Sequence, residues 1–308
     1  MRKHVSAVGM LLGGLTATSA YAHGVVGQRS FIEPFVAEDV NPKNEFVIAR
    51  PEWDGGRDGR TFTLGFGLEK KISDNFSVTL DSAWLDVSPR AAAEPHESGF
   101  DNLNVTLKYA FFKSPEHEAI LSFAVESAAP TGTEKVGAEQ SASFKPFLLY
   151  GKGLNELPDA LEYLRPFAVQ GDAGFEISID RARSTTLAHN IAIEYSIPYL
   201  QQAVHDFGLP WPLNDFIADV EFSFEHGVNG EEHGRSAVFV TPGFVYMDRY
   251  VEVGIAGRFP LNQAANDQFD WGVIGIVDLF IDDLLPWTRW QPVGGMQPPT
   301  PPAGAAGS

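Results

Sequence analysis

Cysteine is absent from the 308 residues, which excludes disulfide staples, thiolate nucleophiles and thiolate metal sites. Stability has to come from packing and closed hydrogen-bond ladders. Basic residues are scarce: 22 Lys and Arg stand against 40 Asp and Glu, a formal charge of -18. Such a surface repels phosphate backbones and excludes nucleic acid as a partner. Long hydrophobic runs are missing as well. The run Val5 to Leu15 falls well short of the roughly 20 residues a membrane helix needs, and nothing else in the chain is apolar enough. The length leaves room for one large β-domain.

The first residues read as an address. Arg2 and Lys3 form a charged n-region, Val5 to Leu15 an apolar h-region and Ala20-Tyr21-Ala22 an A-x-A cleavage site, so 1–22 is expected to be a signal peptide. Its removal takes Arg2 and Lys3 with it, lowers the formal charge from -18 to -20, and makes His23 the mature N-terminus.

Beyond the leader the dominant signal has period two, in segments of about ten residues. Phe62, Leu64, Phe66 and Leu68 oppose Thr61, Thr63, Gly65, Gly67 and Glu69. Leu103, Val105, Leu107, Tyr109 and Phe111 oppose Asn102, Asn104, Thr106, Lys108 and Ala110. The same alternation runs through 190–197, 215–225 and 251–259, with Ile217 the misfit in the second of these. Weaker versions at 44–50, 75–87, 118–129, 142–150, 164–173, 236–247 and 271–281 bring the total to about twelve strands; the last is assigned by position, because it does not alternate cleanly.

An even number of strands, each with one apolar and one small or polar face, specifies an all-β fold: a closed antiparallel transmembrane β-barrel. A soluble lipocalin-type barrel alternates too, but it uses about eight strands and points its apolar side chains inward. Here the polar faces are mostly Gly, Ala, Ser, Thr and Asn, as a crowded wet interior requires. The apolar faces carry aromatics near segment ends, as an interface girdle does. The domains expected are a periplasmic N-terminal segment at 23–43, whose Phe31, Ile32, Phe35 and Val36 need cover inside the lumen, the barrel at 44–290, and a Pro/Gly/Ala tail at 291–308.

Short turns are expected at the periplasmic side and long loops outside, the loops including 51–59, 88–98, 131–140, 227–235 and 261–270. Two connections break the rule. Gly151 to Tyr163 and Tyr199 to Asn214 are long where a short turn belongs, and Tyr199 to Pro210 reads as a short amphipathic helix that caps the mouth or lies on its rim. On the non-lipid faces, Glu69, Asp81, Glu126, Asp172, Glu194, Asp219, Glu221, Glu225 and Glu252 outnumber Lys108, Lys145 and Arg258. Carboxylates lining a narrow lumen concentrate cations and repel anions. The competing reading pairs them with the lumenal bases and with loop arginines such as Arg181, Arg183 and Arg235, and packs the interior shut.

Short strings scattered over the mature chain resemble a family of outer-membrane barrels. They are H-G-V-V-G-Q-R-S-F from His23, G-F-D-N-L-N-V-T-L-K-Y-A-F-F from Gly99, the G-K-G-L…L-P…L-R-P-F-A-V run from Gly151, Y-L-Q-Q-A-V-H-D-F-G-L-P from Tyr199 and F-I-D-D-L-L-P-W from Phe280. The chain is similar in these to the MetA-type barrels attached by name to phenol-degradation pathways. The resemblance implies passage or sensing of a small, hydrophobic or aromatic molecule and transfers no catalytic residue. The Pro-rich tail departs from the usual terminal aromatic strand, so the signal for the barrel-assembly machinery is expected inside the chain, at Phe280.

A second resemblance points to an enzyme. F-E-H-G-V-N-G from Phe224 is similar to the active-site string of the outer-membrane phospholipases, in which a histidine base precedes the serine nucleophile by two residues. His226 matches the base, but Val228 stands at the serine position and cannot be acylated. His226 and His233 share a loop with Glu225, Glu231 and Glu232, with no spacing that enforces a metal site. A mature N-terminal His23 offers its amine and imidazole as a copper chelate. No cofactor is expected. The function expected is an outer-membrane channel or transporter for small molecules, not an enzyme, in contact with lipid and lipopolysaccharide; the alternative is a non-transporting barrel, either a lipid-modifying enzyme or a surface or structural protein.

Overall fold

The computed structural model describes residues 24–57, 59–91, 95–180 and 182–284. The leader, His23, the tail and the barrel's expected end at 285–290 lie outside the described residues. Twelve strands make the wall: β1 Glu45–Gly55, β2 Gly59–Ser73, β3 Phe76–Pro89, β4 Leu103–Ser114, β5 Ala119–Ala129 and β6 Ser143–Gly153, then β7 Phe167–Ser178, β8 Thr186–Ser196, β9 Phe216–Gly227, β10 Ser236–Met247, β11 Val251–Pro260 and β12 Trp271–Phe280. Each pairs antiparallel with its neighbours in chain order. β12 pairs with β1 from Trp271 opposite Gly55 to Phe280 opposite Glu45, which closes the ring. Closure leaves no unpaired sheet edge, the condition for placing strands in lipid.

The alternation read in the sequence becomes two surfaces. Leu80, Leu107, Leu148, Phe244 and Ile255 point outward and are 47 to 62% exposed, an apolar belt that belongs in hydrocarbon. Their neighbours in sequence point inward: Asp81, Lys108, Phe147, Val245 and Ala256 are half-buried or buried.

Three expectations need correction. The loop expected at 51–59 is shorter, because β1 runs on to Gly55 and pairs Glu52 with Thr63 and Asp54 with Thr61. Pro51 misled the reading. It is tolerated in the wall because the register shifts between Val47 and Arg50, immediately before it, and a bulge is where a strand can spare an N–H. The second correction concerns β12, which does alternate: Gly272, Ile274, Ile276, Asp278 and Phe280 are buried and the residues between them are not. Its inward face carries two isoleucines, so it does not look polar in sequence. The third concerns the helix expected at Tyr199 to Pro210, which starts earlier and stops earlier, as a turn at Ile197–Tyr199 continued by one wide turn at Leu200–Val204.

The inward isoleucines are core residues, fully covered. Ile274→Ala should therefore cost about 2–5 kcal/mol, as truncation in a packed core does, whereas outward Ile255→Ala should cost much less. Guanidinium unfolding in detergent, followed by tryptophan fluorescence, checks the difference.

Candidate functional site

The interior is occupied in part by the chain that precedes β1. After a hairpin of Val25–Val26 with Arg29–Ser30, the segment up to Asn44 runs through the lumen. Val26, Phe31 and Val40 pack with Ala110, Ile120, Ala124, Phe147, Leu149 and Ala168 of β4 to β7. Ile32 and Phe35 pack with Ile217, Val245, Ala256, Ile274 and Ile276 of β9 to β12. Glycines in the wall make room: a Cβ at Gly243 would stand 2.6 Å from the Phe35 ring, and one at Gly254 2.8 Å.

An irregular segment in a barrel has no ladder to satisfy its backbone, and an unmet buried N–H costs about 1–3 kcal/mol. Here wall carboxylates accept. Glu221 takes the N–H groups of Phe35, Val36 and Ala37 at 2.5, 3.0 and 2.7 Å. Glu252 takes that of Glu33, Asp172 that of Glu38 and Glu69 that of Lys43. Wall donors meet the segment's carbonyls: the Gln170 amide reaches Ile32 and the Ser122 hydroxyl reaches Val40. The Lys43 ammonium sits among Asp39, Glu33 and Glu45.

The segment's foot is Arg29, fully buried. Its guanidinium donates to the carbonyls of Arg165, Pro166 and Phe167, pairs with Glu118 at 3.4 Å and lies 3.9 Å over the Tyr199 ring. The two connections that are too long for turns, β6–β7 and β8–β9, thus supply the socket: the first gives two of the carbonyls and leads into the third at the start of β7, and the second gives the ring.

The twelve lumenal residues expected from sequence divide into three groups. Asp172, Glu194, Asp219, Glu221 and Glu252 are at most 1% exposed and face no open space. Glu69, Asp81, Lys108, Glu126 and Lys145 line a cavity of about 330 Å³ on the β1–β6 side. Glu225 and Arg258 stand nearer the loop end. Glu225 accepts from the Gln268 amide, while the Arg258 guanidinium lies 4.6 and 4.8 Å from the stacked rings of Phe239 and Phe269 and pairs with Glu52 at 3.1 Å. Arg183 pairs with Glu139 of another loop, and Arg235 with Glu232 of its own loop and Asp267 of another, not with lumenal carboxylates; Arg181 lies outside the described residues.

The cavity also takes Glu33, Glu38, Arg50 and Glu52 into its lining, residues the sequence reading missed. Glu52 was hidden by ending β1 before Pro51, and Arg50 by the register shift that turns it inward; Glu33 and Glu38 belong to a segment without periodicity. Within the cavity Glu69 pairs with Lys108 at 3.2 Å, Arg50 with Glu33 at 2.8 Å, and Asp81 accepts from the Asn104 amide. Burial pushes the Glu38 carboxyl up to about 7, against the pull of Lys108.

At the rim, the His226 ring lies 2.7 Å from the Ser236 hydroxyl, its cross-strand partner, and the His233 ring meets the Val228 carbonyl. Among the described residues no carboxylate is hydrogen-bonded to the His226 ring, the partner that would orient a catalytic histidine. His23, the copper candidate, lies outside the described residues.

No family model matches the chain, and no curated protein matches it in sequence. Among solved structures, an outer membrane channel from Pseudomonas putida F1 is similar over 81% of this chain and 99% of its own, at 10% identity and a TM-score of 0.55. The NanC porin covers 75% of this chain and 98% of its own at 8% identity, with a TM-score of 0.49. LpxR from Salmonella typhimurium gives 77%, 99%, 10% and 0.44. At these identities the likeness is one of fold. With the closed ring and its apolar belt, the likeness to the Pseudomonas putida channel gives this chain the fold of an outer-membrane β-barrel.

The Glu221 carboxylate is the densest anchor of the segment, so Glu221→Ala should strand three N–H groups at about 1–3 kcal/mol each and loosen the segment while the ring stays closed. Tryptic cleavage after Arg29 and Lys43 in folded, detergent-held protein should accelerate. An unchanged cleavage rate would show that the anchor lies elsewhere.

Proposed function

We propose that this chain is a channel for small hydrophilic solutes, narrowed by its own N-terminal segment, and not an enzyme. The observation that supports this is the polar cavity beside the segment. Its wall presents the Thr63 and Thr79 hydroxyls, the Asn104 amide and charged groups of both signs. A lining of this kind exchanges hydrogen bonds with a hydrated solute at little cost, whereas an apolar molecule would strip water from those groups and return nothing. That lining favours a polar solute over the hydrophobic or aromatic one implied by the family resemblance. The lone His226–Ser236 contact gives the lipid-modifying alternative less to stand on than the cavity gives the channel. Lipid and lipopolysaccharide on the outer belt and the assembly machinery during insertion are the partners this reading entails.

Purified protein in planar bilayers should show small single-channel conductance, and deleting Gly24 to Lys43 should raise it. A deletion variant that conducts exactly as the wild type does would refute the narrowing.

Selectivity should depend on pH. Among the cavity's carboxylates, Glu38 is neutral below about 7 and charged above it, so raising the pH adds negative charge to the path. Reversal potentials across a potassium chloride gradient should report cation preference at pH 8 and less of it at pH 6. Glu38→Gln should flatten that change, and preference of either kind should fade near 1 M salt, where the Debye length is about 3 Å. Anion preference at pH 8 would defeat the assignment.

A further inference from the structure

Seen from the loop end, the lumen offers two bays. The β11–β12 connection folds inward, burying Ala265 and Phe269 against Ala237 and Phe239. On the β1–β3 side of this connection is a space of about 440 Å³ lined by Asp54, Thr61, Val87 and Phe269; on the β8–β10 side is one of about 310 Å³ lined by Thr186, Glu225 and Ala237.

The two bays differ in what lies beneath them. Under the β8–β10 bay the next inward positions are Ser223, Phe239 and Thr241, each at most 2% exposed, followed by Glu221, which is bound to the N-terminal segment. That route ends in packed protein. Under the β1–β3 bay the next positions are Glu52 and Thr63, half-buried and lining the cavity of about 330 Å³. Asp54 faces Thr61, and Glu52 faces Thr63, one pair below the other on β1 and β2. The two spaces therefore follow one another down a single face of the wall.

We infer that solutes enter this barrel from the loop end along an eccentric track on the β1–β3 wall, past Asp54, Thr61, Glu52 and Thr63 to the Asp81, Glu126 and Lys145 level, and that the β8–β10 half is sealed. This rests on the channel reading above and adds the route to it. The solutes it suits are small, hydrogen-bonding and neutral or cationic. The track passes over carboxylate and hydroxyl rows that lie side by side on β1 and β2, with Arg258 paired to Glu52 and Lys145 the base opposite Glu126.

The absence of native cysteine permits a direct test with single-cysteine variants Thr61→Cys, Thr63→Cys and Ser223→Cys in planar bilayers. A trimethylammonioethyl methanethiosulfonate reagent, cationic as the track requires, is added from the loop side, and labelling is verified by mass spectrometry. Both threonine positions should label quickly and lose most of their single-channel conductance, while Ser223→Cys should label slowly and keep its current. Labelled Thr61→Cys and Thr63→Cys channels with undiminished current would overturn the track while leaving the channel reading intact. So would a Ser223→Cys channel that labels and blocks as readily as they do. A silent wild type would overturn the channel reading, and the track with it.

Discussion

Everything inside this barrel follows from one obligation: the backbone N–H groups of a non-helical, non-strand segment, brought into a closed lumen, must find acceptors. Water satisfies such groups at a surface. Within a packed wall the acceptors have to be side chains, and a carboxylate is well suited because it takes several donors at once. Glu221 takes three consecutive ones, and Glu252, Asp172 and Glu69 take one each. A large share of the lumenal acidity is thus structural. It holds the segment, and of these four anchors only Glu69 borders the open cavity.

That division shows why a count of lumenal charges is a poor guide to selectivity. Asp172, Glu194, Asp219, Glu221 and Glu252 were grouped in sequence with Asp81 and Glu126 because strand alternation assigns only a face. Alternation cannot distinguish a carboxylate that meets solvent from one that meets another part of the chain. The distinction needs the third dimension, since the segment and its anchors are more than 130 residues apart for Asp172 and more than 180 for Glu221.

The wall was legible because period two is a local signal, readable strand by strand. β10 was read at 236–247, the bounds it has in the structure. Proline and glycine misplaced other boundaries: Pro51 ended β1 too early, since a bulge that excuses a proline leaves no mark in composition. The helix at Ile197 was displaced for a related reason. Its start is set by the Ser196 hydroxyl accepting the Tyr199 N–H, whereas the reading relied on Gly208 and Pro210 to fix its end. The unusual length of β6–β7 and β8–β9 was visible, but its cause was not, because it lies in Arg29, on a different part of the chain.

The interior did leave one trace in the sequence, in the places where alternation fails. Ile217 was the misfit in an otherwise regular strand, and 271–281 would not alternate because Ile274 and Ile276 stand at inward positions. An apolar side chain facing a wet lumen is unfavourable unless something covers it, so each misfit marks a covered spot. Phe35 and Ile32 are the cover, and they come from the stretch whose own apolar residues had no strand to belong to. Two anomalies that look unrelated in sequence are the two halves of one interface. By the same logic β2, whose inward row at Thr61, Thr63, Gly65 and Gly67 has no apolar interruption, marks wall that nothing apolar covers, and it is there that the open space lies.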